Sequence, residues 1–136
     1  MAKAAEMIAA CDWLLLDGAT GTNLFAMGLE AGEAPELWNV DAPEKIVKLY
    51  QGWIDSGSDV FLTNSFGGTA ARLKLHDAQD RVHELNKAAA EIARSVADKA
   101  GRDVLVAGSI GPTGEILEPV GTFSAAEAQA MFQAQG

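Results

Sequence analysis

A chain of 136 residues suffices for one ordinary domain, and a hydrophobic share of 49% is too high for a disordered one. Ten Lys and Arg against 19 Asp and Glu give a formal net charge of -9, which excludes a basic face for nucleic acid and attraction to an anionic membrane. A single cysteine, Cys11, rules out an internal disulfide and hence a stapled secreted scaffold, and the acidic balance fits a cytoplasmic protein.

The first eleven residues, MAKAAEMIAAC, read as an amphipathic helix rather than a signal peptide, since they lack a long apolar core and a small-residue cleavage site. Trp13-Leu14-Leu15-Leu16 is a continuous apolar run, as expected of a strand buried on both faces. It ends in Asp17-Gly18-Ala19-Thr20-Gly21-Thr22, with a short helical stretch at about Asn23 to Met27 and an irregular segment from Gly28 to Ala42. Pro43 to about Ser56 carries an apolar stripe at helical spacing. Asp41 is its expected N-cap, Glu44 the capping-box partner and Gly57 its stop.

The second strand is Val60-Phe61-Leu62-Thr63, running into Asn64-Ser65-Phe66-Gly67-Gly68. A short helix is expected over about Thr69 to Leu75, and a long one over about Arg81 to Ala100 with Asp80 as cap. Val104-Leu105-Val106-Ala107 is the third strand, followed by a Gly- and Pro-bearing loop to Gly121. Ser124 and Glu127 form a capping box at the start of the last helix. No segment approaches the length of a membrane span.

Strands alternating with helices imply parallel βα units and an α/β fold, either an open doubly wound sheet or a closed barrel. Three strands are too few to close a barrel. They would leave two edges and one sheet face uncovered, which invites pairing with another chain.

All three polar clusters, at Asp17-Gly18, Thr63-Asn64-Ser65 and Gly108-Ser109-Ile110-Gly111, directly follow a strand. In either architecture that is the face where ligands bind. Asp17 there suits a substrate ammonium, and equally a turn that accepts its own backbone hydrogen bonds. The run GATGT matches neither G-x-G-x-x-G nor G-K-[ST], which argues against phosphate binding. Thr63, Asn64 and Ser65 offer groups for a small polar substrate, or for satisfying their own loop. Phe66 is expected to wall a pocket or pack under the loop. His76 and His83 read as surface or cap histidines, and Cys11 as a structural thiol, because none has partners at metal-ligand spacing. Trp13 and Trp53 are expected in the core, and Trp38 in a loop that could line a pocket.

The strings themselves extend this reading. LLLDGATGTNL resembles the first-strand motif of homocysteine S-methyltransferases and of the homocysteine-binding module of cobalamin-dependent methionine synthase. APELWNVDAPEKI, GSDVFLTNSFGGTAARLKLH, ELNKAAAEIAR and VAGSIGPTGE are similar to that family's later segments, in order, from about Trp13 to Ser124. The resemblance implies a TIM (β/α)₈ barrel, of which residues 1–136 would be the amino-terminal portion, about the first three units. It implies methyl transfer to the thiolate of homocysteine, giving methionine, with zinc lowering the thiol pKa. The donor would be methylcobalamin or methyltetrahydrofolate through a partner module, betaine, or S-methylmethionine.

By the same resemblance Asp17 and Gly18 hold the amino-acid end of homocysteine, and Thr63, Asn64 and Ser109 line the pocket. The family's zinc ligands are cysteines on later strands. Cys11 matches none of them, so no catalytic or metal-ligating residue is assigned here and the chain alone is expected to be inactive. The alternative is a non-catalytic half-barrel that self-associates or pairs with a complementing carboxyl-terminal half. A barrel enzyme using Asp17 as acid or base lacks an identifiable partner group.

Overall fold

Apolar runs of four residues and amphipathic runs of thirteen or more have different ways to bury their side chains, and the chain sorts itself accordingly. The computed structural model describes residues 2–136. Its elements are α1 (Ala2–Ala10), α2 (Thr20–Ala26), α3 (Trp38–Asp41), α4 (Pro43–Asp55), β1 (Val60–Leu62), α5 (Ala70–Leu73), α6 (Val82–Asp98), β2 (Leu105–Ala107) and α7 (Ala125–Gln135). Short 3₁₀ turns occupy Pro35–Leu37, Lys74–His76 and Gln79–Arg81.

β1 and β2 pair in parallel, with Phe61 opposite Val106. The first apolar run joins the other edge of β1 through a single parallel bridge, Leu16 to Val60. Around it, the Val60 amide donates to Leu15 O and the Asp17 amide donates to Val60 O, at 3.1 and 3.0 Å. Three extended segments thus lie side by side in chain order, which is the arrangement that successive crossover helices produce.

Alternation along the strands decides which face is filled. Phe61 is fully buried and Val106 packs beside it against α4 and α6, in a core with Leu24, Ile46, Leu49, Tyr50, Ala93 and Val96. The Tyr50 and Phe61 rings lie 4.7 Å apart at a tilt of 33°. Leu62 follows Phe61 and alternates to the opposite face, as does Leu16, the bridge partner of Val60; both are exposed there, Leu16 by 56%. The expectation that the first run is buried on both faces is therefore corrected. Trp13, expected in the core, is 75% exposed, because among the described residues this edge segment bridges to β1 alone. Trp53 packs against the core as expected, with its Nε1 buried and unbonded.

The helix caps also differ from expectation. α4 begins at Pro43 after Ala42, without a side-chain cap bond. Asp41 instead ends α3 and faces Arg81 at 3.8 Å, because the segment written as irregular is partly helical. α6 likewise lacks a side-chain cap from Asp80; a 3₁₀ turn leads into it, and Arg81 pairs with Glu84 at 2.7 Å. At α7 the expected capping box is present: Glu127 accepts from the Ser124 amide at 2.8 Å, and Ser124 Oγ accepts from the Glu127 amide at 3.2 Å. No helix is long and apolar enough to cross a membrane among the described residues.

Candidate functional site

The polar loops after the strands meet over one cavity of about 440 Å³. Its walls come from Thr20 and Gly21 at the start of α2, from Glu33 to Glu36, from Leu62 to Gly67 beyond β1, and from Arg72, His76 and Ser109. The cavity sits at the carboxyl ends of the parallel strands, as the shared position of the polar clusters implied.

The floor is a closed ring of hydrogen bonds. The Ser109 amide donates to Thr63 Oγ1 at 2.9 Å, and Ser65 Oγ donates to Ser109 O at 2.8 Å. Thr63 Oγ1 and Ser65 Oγ lie 2.7 Å apart. Since the Ser65 proton goes to Ser109 O, Thr63 is the donor in this last contact. Each hydroxyl has one proton, and both are spent inside the ring.

Asn64 is held even more firmly. Its backbone amide donates to the Tyr50 hydroxyl at 2.7 Å, and its carbonyl accepts from Asn39 Nδ2 at 2.8 Å. Its side-chain Nδ2 donates to Pro35 O at 2.8 Å and to Asn39 Oδ1 at 2.9 Å. Burial raises the Tyr50 pKa above its ordinary value of 10.0, opposed by the Asn64 amide and reinforced by the charge of Asp17. Tyr50 thus holds the loop as a neutral hydrogen-bonding group.

Further bonds tie the loops to one another. The Gly67 amide donates to Glu36 Oε1 at 2.6 Å, and the Gly111 amide donates to Phe66 O at 3.0 Å. A Cβ on Gly111 would lie 2.4 Å from Phe66 O, so only glycine permits this approach. Gln135, at the end of α7, donates through Nε2 to Ser65 O at 2.7 Å.

Of the residues singled out from sequence, Thr63, Asn64 and Ser109 line the cavity together, and Phe66 forms part of its wall. Asp17 and Gly18 stand beside it and outside its lining. Asp17 Oδ2 accepts from the Leu62 amide at 2.8 Å, which extends the strand pairing by a side chain. A Cβ on Gly18 would lie 3.2 Å from the Trp53 ring. His76, read as a surface or cap residue, is half-buried at the end of the Lys74–His76 turn and also lines the cavity. Sequence reasoning also passed over Glu33, Glu36 and Arg72. The signal for Glu36 was available, in a carboxylate following Pro35 within a long segment that had no other reason to be ordered.

Among the described residues no group of three or more His, Cys, Asp or Glu is placed to hold a metal ion. Cys11 is exposed. The donor set of this chain does not fit a zinc site of thiolate and imidazole ligands.

These features define a mixed α/β protein with a small parallel sheet and a polar cavity at its carboxyl edge. The model of the homocysteine S-methyltransferase family matches residues 14–136, and the chain belongs to that family. It is similar to methionine synthase of Mycobacterium tuberculosis (strain ATCC 25618 / H37Rv), at 33% identity over 105 residues, covering 71% of this chain and 9% of that protein. Methionine synthase of Mycobacterium leprae (strain TN) matches at 30% identity with the same coverage. Among solved structures, the metallated form of the homocysteine methyltransferase MmuM from Escherichia coli matches with a TM-score of 0.66 and 31% identity, over 80% of this chain and 41% of that one. The oxidized form matches with a TM-score of 0.66 and 26% identity, over 93% of this chain and 51% of that one. The chain thus spans about half the length of these solved relatives, or less, and 9% of the curated ones.

Proposed function

We propose that this chain forms the first three βα units of a (β/α)₈ homocysteine-binding barrel, and that it supplies the wall that holds the amino-acid end of homocysteine. The whole domain would transfer a methyl group to the homocysteine thiolate, giving methionine. The observation that carries this reading is the family match over residues 14–136 combined with a polar cavity at the strand ends.

The division of labour follows from the bonding. Asp17 has one carboxylate oxygen bonded to the Leu62 amide, and the other is the group offered to a substrate ammonium. Gly18 keeps the backbone beside it open. Thr63 and Asn64 have spent their protons on the loops, so they act by shaping the cavity, and Thr63, which accepts from the Ser109 amide, retains one lone pair to accept from a ligand. Ser109 closes the floor through its backbone and forms part of the wall.

Zinc, where the family uses it, lowers the thiol pKa so that a thiolate exists at neutral pH. The residues present do not fit that ion, and none of their roles depends on it. The methyl donor, whether methylcobalamin or methyltetrahydrofolate on another module or a small methylated compound, belongs to parts of the reaction beyond these residues.

The test is methionine formation from homocysteine, followed by mass spectrometry, with zinc and each candidate donor. The chain alone is expected to give no methionine. Together with the carboxyl-terminal portion of a relative it is expected to give product. Turnover by the isolated chain would refute the division of labour.

A further inference from the structure

Three ionic groups, Glu33, Glu36 and Arg72, line the cavity without an ion-pair partner among the described residues, and none belongs to the residues nominated by family resemblance; Glu33 is exposed and accepts from the Glu30 amide through Oε2. Glu36 is 5% exposed, and its carboxylate takes one hydrogen bond, from the Gly67 amide, through Oε1. No ion pair to it is found among the described residues, and its Oε2 accepts no hydrogen bond there. A carboxylate so deeply buried is costly unless a cation or several donors compensate it. The cavity it borders gives such a cation access to it.

Arg72 lines the same cavity. Its backbone amide bonds to Thr69 Oγ1, whereas its guanidinium has no carboxylate partner among the described residues. One face of that guanidinium rests near Gly114, whose notional Cβ would lie 3.6 Å from Nη1. Thr63, Ser65 and Asn64 have no free proton to offer, so the polar groups with unspent capacity at this cavity include a buried carboxyl group and an accessible guanidinium.

We infer that Glu36 and Arg72 are the specificity-determining pair for an α-amino acid zwitterion, Glu36 receiving the ammonium and Arg72 the carboxylate. This rests on the homocysteine reading above and adds two residues to it. An ammonium has three N–H donors, and the free Oε2 of Glu36 takes one of them. A guanidinium presents two parallel donors to a carboxylate, which suits Arg72 to the other end.

The test is calorimetric titration of the 136-residue chain under reducing conditions with four ligands. These are homocysteine, methionine, 4-sulfanylbutanoate (no ammonium) and 3-aminopropane-1-thiol (no carboxylate). Glu36→Gln is expected to weaken homocysteine binding roughly tenfold to a hundredfold and to leave 4-sulfanylbutanoate unchanged. Arg72→Gln is expected to weaken homocysteine and 4-sulfanylbutanoate alike and to leave 3-aminopropane-1-thiol unchanged.

Equal weakening of all ligands by Glu36→Gln would overturn the assignment, since it would mean that Glu36 only supports the Gly67 loop. So would unchanged homocysteine affinity in either variant, or an ammonium preference abolished wholly by Asp17→Asn. If Glu36→Gln does not fold, the exposed Arg72→Gln still decides by its contrast between the two analogues. A wild-type chain that binds neither homocysteine nor methionine would overturn both readings. A wild-type chain that binds them while the variants are indifferent would overturn this one alone.

Discussion

Replacing Asn39 by alanine isolates the forces that hold the cavity floor. Asn39 is 3% exposed and bonds three ways, from Nδ2 to Asn64 O and Leu85 O and through Oδ1 from Asn64 Nδ2. Leu85 O lies within α6, where the helical ladder offers it a second partner, and Asn64 Nδ2 keeps Pro35 O. Asn64 O has no such substitute. Leaving that buried acceptor unpaired costs about 1–3 kcal/mol, and the two weakened bonds add roughly 1 kcal/mol more. The sum, about 3 kcal/mol, is a large fraction of the ~5–15 kcal/mol that stabilises an ordinary domain. At roughly 4 °C per kcal/mol for a chain of this size, the midpoint should fall by about 10 °C. Urea unfolding followed by far-ultraviolet circular dichroism measures this, with thermal melts as a second readout. A double cycle with Asn64→Ala should show coupling of at least about 0.5 kcal/mol, since the two amides contact each other. A loss below about 0.5 kcal/mol for Asn39→Ala would refute the reasoning, because it would mean that solvent already satisfies these groups.

Tyr50 is the single tyrosine, so absorbance at alkaline pH reports on it alone. Its folded pKa is raised by burial, so its contribution to stability is complete below the unfolded value of about 10 and is lost as pH rises through the folded one. The native protein should show no tyrosinate signal at a pH where free tyrosine is half ionised; a signal there from folded protein would show the ring to be solvated. Gly111→Ala should destabilise by about 1–3 kcal/mol, because the new Cβ would lie 2.4 Å from Phe66 O and must push the second and third loops apart. Unchanged urea stability in that variant would mean that the loops move freely.

Much of the architecture was legible from residues alone. The apolar runs at 60–63 and 104–107 named their strands to within a residue, and Ser124 with Glu127 announced the α7 cap. Both signals are local: a strand is marked by consecutive β-branched and aromatic residues, and a capping box by two side chains three apart. The Asp41 and Asp80 caps failed for the complementary reason. Preceding turns, with Asp41 drawn toward Arg81, took the chain into each helix by another route.

The site divides in the same way. Sequence by itself determined that three polar clusters end three extended segments, two of them strands, because a parallel sheet puts every strand terminus of one sense on one edge. It also carried the family, since motifs in order survive without knowledge of contacts. Only the tertiary structure decided which of those side chains remain available to a ligand. The Thr63 proton is consumed by Ser65, the Ser65 proton by Ser109 O, and those of the Asn64 side chain by Asn39 and Pro35, across separations of up to 44 residues. Glu36 and Arg72 line the cavity with no ion-pair partner among the described residues for the same reason. A hydrogen bond is directional and short, so whether a polar group is spent depends on which distant partner the fold brings within about 3 Å.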